Sequence, residues 1–119
     1  MQMGVRIVLT ATLLLTGCDN PAIEPNLSAP QSVARGRIAA ERLGCGACHQ
    51  MQGIWPQGGT GPALDGFGQR ALIAGRWPNR PDALEGFLLD PSGTGMPKVP
   101  MTRRDAQDIA AFLQQTDAP

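Results

Sequence analysis

The chain has 119 residues with 10 basic and 10 acidic side chains, so its formal net charge is zero. A chain without a basic excess is unlike nucleic-acid binders, which need a positively charged stripe, and we expect no nucleic-acid partner. Only 4% of the residues are aromatic, whereas Gly and Pro number 15 and 11. Because one small domain with so few large side chains builds a weak core, the composition predicts an added stabilising group.

Residues 1–17 have the pattern of an export signal, in which Arg6 precedes an apolar run shorter than the roughly 20 residues that span a bilayer. The run ends in L-T-G-C at Cys18, which resembles the lipobox of bacterial lipoproteins. This resemblance implies that Cys18 is lipidated and anchors the protein on the periplasmic face of a bacterial membrane. Asp19 resembles a retention signal for the inner membrane. The alternative is an ordinary or uncleaved signal with Cys18 as a spare thiol.

Residues 18–31 are predicted to form the lipid anchor and an extended linker, because three prolines disfavour a helix there. We expect one domain over residues 32–119. Its first helix is predicted over residues 32–43, with Ser32 as N-cap and Gly44 as its end. The buried side of this helix is assigned to its apolar residues, Val33, Ala34, Ile38 and Leu43, and the solvent side to Arg35, Arg37, Glu41 and Arg42.

Residues 45–49 read C-x-x-C-H, the attachment signature of a c-type haem. Thiols at Cys45 and Cys48 can each bond a vinyl group of one porphyrin, and His49, the only histidine, then directs its imidazole at the iron. The motif predicts one covalent haem c with His49 as a metal ligand. Three alternatives remain, namely a zinc site, which needs a fourth ligand or water, a thioredoxin-like redox pair in a βαβ unit, and a structural disulfide.

A loop rich in glycine follows and reaches Pro62, whose carbonyl is predicted to accept the second ring N–H of His49 and to fix the ring orientation. The alternative is a plain turn proline. Residues 69–74 are predicted to form a short helix and residues 75–80 a loop.

Two further helices are predicted, over residues 81–89 with Pro81 in its first turn, and over residues 102–115 with Thr102 and Asp105 as a capping box. The loop between them carries Met96, whose thioether is the predicted second iron ligand. Met51 lies two residues after His49 and is too close to reach the other haem face. There are two alternatives to Met96: Met101, just before the last helix, is the second ligand, or the iron has no second protein ligand.

Together these residues resemble a small monohaem cytochrome c with His/Met ligation. Within that class an ordered run is similar to the cytochrome c domain attached to subunit II of haem–copper oxidases, namely Gly61-Pro62, Leu64, Arg70, Pro78-Asn79, Pro81, Asp90-Pro91 and Met96-Pro97. The resemblance implies an all-α cytochrome c fold, with three main helices and a short one wrapped around a covalently bound haem. It also implies that Gly36 and Phe112 mark the crossing of the first and last helices.

The same resemblance implies that Arg70 and Asn79 donate to the haem propionates, which are acids that need donors when buried. An ion pair between Arg70 and Asp65 or Glu85 is the alternative. Trp77 stands beside the propionate-binding positions of the family, and its indole N–H is a further candidate donor.

The implied function is that of an electron carrier and not of an enzyme, moving single electrons between a membrane quinol-side donor and a terminal oxidase. We therefore expect redox partner proteins, either a haem–copper oxidase or a quinol-side complex, in addition to membrane attachment through the lipid. Lys98, Arg103 and Arg104 lie close to Met96 in sequence and are expected to face an acidic partner. The alternative is a haem enzyme or a gas-binding sensor with a displaceable Met96.

Overall fold

The computed structural model describes residues 29–116, so the predicted signal peptide, Cys18 and most of the linker lie outside the described residues. Three α-helices dominate, with two 3₁₀ turns and one small hairpin between them. In chain order the elements are α1 (Ala29–Arg42), a 3₁₀ turn (Cys45–Ala47), a second 3₁₀ turn (Phe67–Gln69), β1 (Leu72–Ile73), β2 (Trp77–Pro78), α2 (Pro81–Leu89) and α3 (Arg103–Gln114). The predicted helical architecture is confirmed. None of the helices in this range is both long and apolar enough to cross a bilayer.

Helix α1 begins at Ala29, three residues earlier than the sequence predicts, and so takes in the end of the predicted linker. Pro30 does not prevent this, because a proline in the first turn of a helix lacks an N–H that would be unpaired anyway. Ser32 is therefore inside the helix and not its N-cap, and its Oγ accepts a hydrogen bond from Arg35 Nη2 at 3.2 Å. The helix ends at Arg42, one residue before the predicted end, and Gly44 with a φ of 72° stops it as predicted.

The fully buried residues of α1 are Gly36, Ala39 and Ala40. Of the predicted apolar face, Val33 and Leu43 are partly buried against the core, whereas Ala34 and Ile38 are exposed. Ile38 was expected to be buried and is 60% exposed. The reason is the closeness of α3, since a Cβ built on Gly36 would lie 1.9 Å from the Asp108 carbonyl oxygen and 2.8 Å from Phe112 Cβ. The predicted crossing at Gly36 and Phe112 is confirmed. Because the two helix backbones lie so close there, only residues with small side chains fit on the α1 side.

Arg35 lies at this crossing and not on the solvent side as predicted. Its Nε and Nη2 donate to the two carboxylate oxygens of Asp108, each at 2.7 Å. Asp108 is only 7% exposed. The Asp108 carboxylate raises the pKa of the Arg35 guanidinium, and the hydrogen bonds between them are the main cause. A forked pair of this kind satisfies a buried charge on α3 with a donor from α1.

Residues 69–74 do not form the predicted short helix. The chain makes the 3₁₀ turn Phe67–Gln69 and then an antiparallel hairpin in which Leu72 pairs with Pro78 and Ile73 with Trp77. Ala74 and Gly75 form its turn with φ values of 48° and 69°. Two successive residues with positive φ are what a tight hairpin turn needs. The hairpin brings Ile73 into the core, where it is 1% exposed.

Helix α2 has the predicted bounds, and α3 lies within the predicted range. The predicted capping box of α3 is confirmed, because Thr102 Oγ1 accepts from Asp105 N at 3.1 Å and Asp105 Oδ2 accepts from Thr102 N at 3.0 Å. Hydrogen bonds from Thr102 lower the pKa of the Asp105 carboxyl. Arg42 also donates to Asp105 at 2.5 Å, which joins the end of α1 to the start of α3.

Candidate haem-binding site

The core surrounds a cavity of about 780 Å³. Its walls include most of the large buried side chains of the domain, namely Met51, Phe67, Ile73, Leu84, Leu88, Ile109 and Leu113. Pockets for organic ligands and cofactors have volumes of about 300–1,000 Å³ and mostly apolar walls. The domain is therefore packed around a space of the size and polarity that suit a large apolar group.

The motif at residues 45–49 opens directly into this cavity. Gly44 ends α1, and the following 3₁₀ turn places Cys45, Cys48 and His49 in the cavity wall. Both cysteines are free thiols. Burial raises the pKa of the Cys45 thiol. The two sulfurs are thus available for thioether bonds, which fits the attachment of a porphyrin.

The alternatives to a haem motif find no support within residues 29–116. The two thiols do not form a disulfide. No group of three or more His, Cys, Asp or Glu side chains in this range is arranged to hold a metal ion, as a zinc site would need. The short antiparallel hairpin also differs from the βαβ setting of a thioredoxin-like redox pair.

The imidazole of His49 is fixed by Pro62, as predicted, and by the neighbouring Gly61. Its Nδ1 lies 2.8 Å from the Pro62 carbonyl oxygen. A carbonyl only accepts hydrogen bonds, so Nδ1 carries the proton and Nε2 keeps the lone pair that a metal needs. Gly61 packs against the ring, since a Cβ there would lie 2.5 Å from His49 Cε1. No role is predicted for Gly61 itself, and its position next to Pro62 is the one sequence signal for this contact.

The glycine-rich loop after the motif is tied to the motif by its backbone. Gly61 N donates to the Cys48 carbonyl at 2.7 Å and Gly58 N to the Gly46 carbonyl at 2.8 Å. A Cβ on Gly58 would lie 2.3 Å from the Ala47 carbonyl oxygen. These contacts leave no room for side chains at Gly58 and Gly61, so these two glycines hold the loop against the motif.

Met96 lines the same cavity from the loop before α3. Its N–H donates to Thr94 Oγ1 at 3.2 Å, and the Thr94 hydroxyl donates to the Pro91 carbonyl at 2.7 Å. Met101, the alternative ligand, is not among the cavity-lining residues and packs against the core. Met51 lines the cavity but is only 2% exposed, and its N–H donates to Gln57 Oε1 at 3.0 Å. The two predicted ligands, His49 and Met96, therefore face one cavity from separate segments.

The two residues expected at the propionates differ in where they lie. Arg70 lines the cavity, donates from Nη2 to the Ala63 carbonyl and stacks 5.5 Å from the centre of the Phe67 ring. It makes no ion pair with Asp65 or Glu85. Its other N–H groups are thus available for an anion at the cavity.

Asn79 is not among the residues that line the cavity, and its contact with a propionate stays a prediction. Its Nδ2 donates to the carbonyls of Phe67 and Arg70 at 2.9 and 3.0 Å, and its Oδ1 accepts from Gln114 at 2.7 Å. Both amide hydrogens thus have backbone partners in this structure. Asn79 holds the turn that carries Arg70 and joins it to α3.

Trp77 also lies outside the cavity wall and packs on the Phe87 ring at 5.7 Å between centres. Its neighbour Arg76 takes the place at the cavity, with its guanidinium 4.9 Å from the centre of the Trp77 ring and Nη1 3.3 Å from the Gly93 carbonyl. No pattern in the sequence indicates this role for Arg76, because it depends on how the hairpin meets a distant loop.

Comparison with known proteins agrees with these features. The Cytochrome c family model matches residues 33–117, which include the whole cavity wall described above. Cytochrome c oxidase subunit 2 of Alkalihalophilus pseudofirmus is 34% identical to the chain over 85 residues. The match covers 67% of the chain and 24% of that protein, so the chain spans about a quarter of this relative. No solved structure matches the chain.

Proposed function

The chain belongs to the cytochrome c family, and from the geometry of its cavity we propose an electron carrier with one haem c, held covalently by Cys45 and Cys48 and ligated by His49 and Met96. One observation carries this proposal. Two thiols, one imidazole and one thioether, from the segments after α1 and before α3, line the same apolar cavity. Haem-based electron transfer is the function of the family, and the ligand pair explains how this chain performs it.

A bound haem c supplies a one-electron couple at its iron, and the protein supplies ligands and surroundings. The Pro62 carbonyl accepts the Nδ1 hydrogen of His49, which orients the ring and strengthens Nε2 as a ligand. The Met96 thioether raises the reduction potential of haem iron. Arg70 offers N–H groups to the acidic propionates, and the apolar walls exclude water. If His49 and Met96 both hold the iron, a bound haem would have no position left for a substrate, which favours a carrier over an enzyme.

Carbon monoxide binding to the purified, dithionite-reduced holoprotein tests the ligand pair. We expect no carbon monoxide spectrum for the wild type, because Met96 fills the second axial position. The Met96→Ala variant should bind carbon monoxide, whereas Met101→Ala should behave as the wild type. Rapid carbon monoxide binding by the wild type would contradict the proposal and favour a sensor or a haem enzyme.

A haem–copper oxidase or a quinol-side complex is the proposed redox partner. The relative named above is an oxidase subunit, which supports the first choice. Lys98 and Arg104 are exposed and form no ion pair within the described residues, whereas Arg103 donates to Glu85 at 3.0 Å. Electron transfer to a purified terminal oxidase should slow as ionic strength rises, because salt screens such charges. A rate that does not depend on salt would remove the acidic-partner part of the proposal.

Attachment to the periplasmic face of a bacterial membrane, and to the inner membrane in particular, is proposed from Cys18 and Asp19. Fractionation of cells with the full chain should place the haem in the inner-membrane fraction. A Cys18→Ser variant should lose the lipid and leave that fraction. Retention of this variant in the membrane without a partner complex would contradict lipid anchoring.

A further inference from the structure

The loop that carries Met96 has little polar attachment to the rest of the domain. We define the Met96 loop as residues 91–101. Within the described residues its hydrogen bonds are internal or go to the adjacent Asp90, except for the bond from Arg76 Nη1 to the Gly93 carbonyl at 3.3 Å. The single polar connection between the hairpin and the Met96 loop is therefore made by Arg76.

The residue that Arg76 holds, Gly93, is linked to Met96 through hydrogen bonds of the loop. Gly93 belongs to the turn from Pro91 to Thr94, in which Thr94 N donates to the Pro91 carbonyl at 3.2 Å. The Thr94 hydroxyl in turn accepts the N–H of Met96 at 3.2 Å. A shift of Gly93 would move Thr94 and with it the backbone of Met96, so holding Gly93 also holds Met96.

Arg76 is itself held in a fixed position. Its N–H donates to the Ile73 carbonyl at 2.9 Å across the hairpin turn. Its guanidinium lies 4.9 Å from the centre of the Trp77 ring, and that ring packs against Phe87 of α2. A guanidinium over an indole face is stabilised by a cation–π interaction. The donor that reaches Gly93 thus starts from the hairpin and α2, which are packed elements.

We propose that Arg76 is a positioning residue for the second axial ligand: by holding Gly93 it keeps the Met96 loop against the hairpin and the Met96 thioether in its place at the iron. This inference rests on the proposed His/Met ligation. Without the Arg76 bond the loop retains its internal hydrogen bonds but loses its attachment to the hairpin. Another ligand then replaces the Met96 sulfur more easily, with no change in the oxidation state of the iron.

The proposal is tested by titrating the ferric, full-length holoprotein with imidazole. The readout is the loss of the weak red absorption band that reports sulfur–iron ligation. In Arg76→Leu the aliphatic stem remains and the donors are lost. We expect this variant to exchange Met96 at an imidazole concentration about tenfold lower, equivalent to about 1.4 kcal/mol, which lies near the upper end of the net range of about 0.5–1.5 kcal/mol for one hydrogen bond. Arg76→Lys, which keeps a cationic donor, should recover part of the difference. Imidazole is used in its uncharged form, because the loss of one positive charge from the protein should not by itself change the affinity of a neutral ligand.

Two controls separate positioning from general effects. Arg80→Gln removes an exposed arginine that pairs with Asp82 at 3.0 Å and lies outside the cavity wall, and it should titrate as the wild type. Thr94→Val removes the hydroxyl between Gly93 and Met96, so combining it with Arg76→Leu should add little to either change alone. Circular dichroism of each variant establishes that the helices are retained.

The outcomes for the ligand pair and for Arg76 are distinct. If the wild type lacks the sulfur–iron band, both the His/Met ligation and the role of Arg76 are wrong. If the band is present and Arg76→Leu titrates as the wild type, the role of Arg76 is overturned and the proposed function stands. Equal shifts in Arg76→Leu and Arg80→Gln would indicate a general charge effect and would also overturn it.

Discussion

The crossing of α1 and α3 at Gly36 allows a sharp test of the fold. In a Gly36→Ala variant the new Cβ would lie 1.9 Å from the carbonyl oxygen and 2.5 Å from the carbonyl carbon of Asp108. Real Cβ atoms essentially never come within 3.0 Å of such atoms. The obstacle is backbone and cannot rotate away, so the two helices must move apart by about 1 Å.

The size of the effect follows from two opposing contributions. Alanine is favoured over glycine inside a helix by up to about 1 kcal/mol. Overpacking of a close contact costs about 1–3 kcal/mol, and we take the upper value because backbone atoms of both helices are involved. The net loss for Gly36→Ala should be about 2 kcal/mol, which lowers the melting temperature of a domain of this size by roughly 10 °C.

Gly86 in α2 provides the matched control, because a Cβ built there meets no atom within 4 Å. Gly86→Ala should therefore raise the free energy of unfolding by about 0.5–1 kcal/mol. Thermal unfolding of the two holoprotein variants, followed by far-ultraviolet circular dichroism, measures the difference between them. A Gly36→Ala protein as stable as the wild type would refute the close crossing of α1 and α3.

Three further predictions concern the site, the last helix and the haem. Gly61→Ala should lower the haem content per polypeptide and change the ferric spectrum, because the added Cβ would lie 2.5 Å from the histidine ring, whereas Gly59→Ala, with open space around it, should do neither. The pKa of Asp105 is lowered in the folded state, so its contribution to stability is present above the unfolded value of about 3.9 and is lost as the pH falls through the lower folded value. Asp105→Asn should accordingly flatten the acid side of the stability profile measured by denaturant titration. Replacing both cysteines of the haem motif with serine should abolish most of the native helix signal in circular dichroism, and full native helicity in that variant would contradict a haem-dependent core.

Helices α2 and α3 could be predicted from the sequence because their end signals are local. Pro81 fits the first turn of one helix, and the reciprocal hydrogen bonds of Thr102 and Asp105 start the other. The predicted buried face of α1 was wrong at Ala34 and Ile38, because the prediction ranked residues by apolarity. At a close helix crossing the contact instead selects for small volume, so Gly36, Ala39 and Ala40 are buried there.

The motif residues of the site were predictable because haem attachment fixes their spacing, whereas the supporting residues were not. Strands of two residues are too short to show an alternating pattern, so the hairpin was missed. The amide of Asn79 is occupied by carbonyls that a turn brings close, and Arg76 reaches a loop 17 residues away. Such partners follow from tertiary geometry, and the sequence around each residue carries no record of them.

The glycine-rich composition and the cavity have one physical explanation. Gly36 brings α3 against α1, Gly58 brings the loop against the motif, and Gly61 lies on the ring of His49, so each closes a contact that a side chain would prevent. The few large side chains leave a cavity of about 780 Å³ unfilled. Apolar atoms that line such a space lack packing partners on one side, and a bound apolar group would supply them. The fold is therefore suited to a domain completed by the group it binds, and the two proposed thioether bonds would keep that group from leaving.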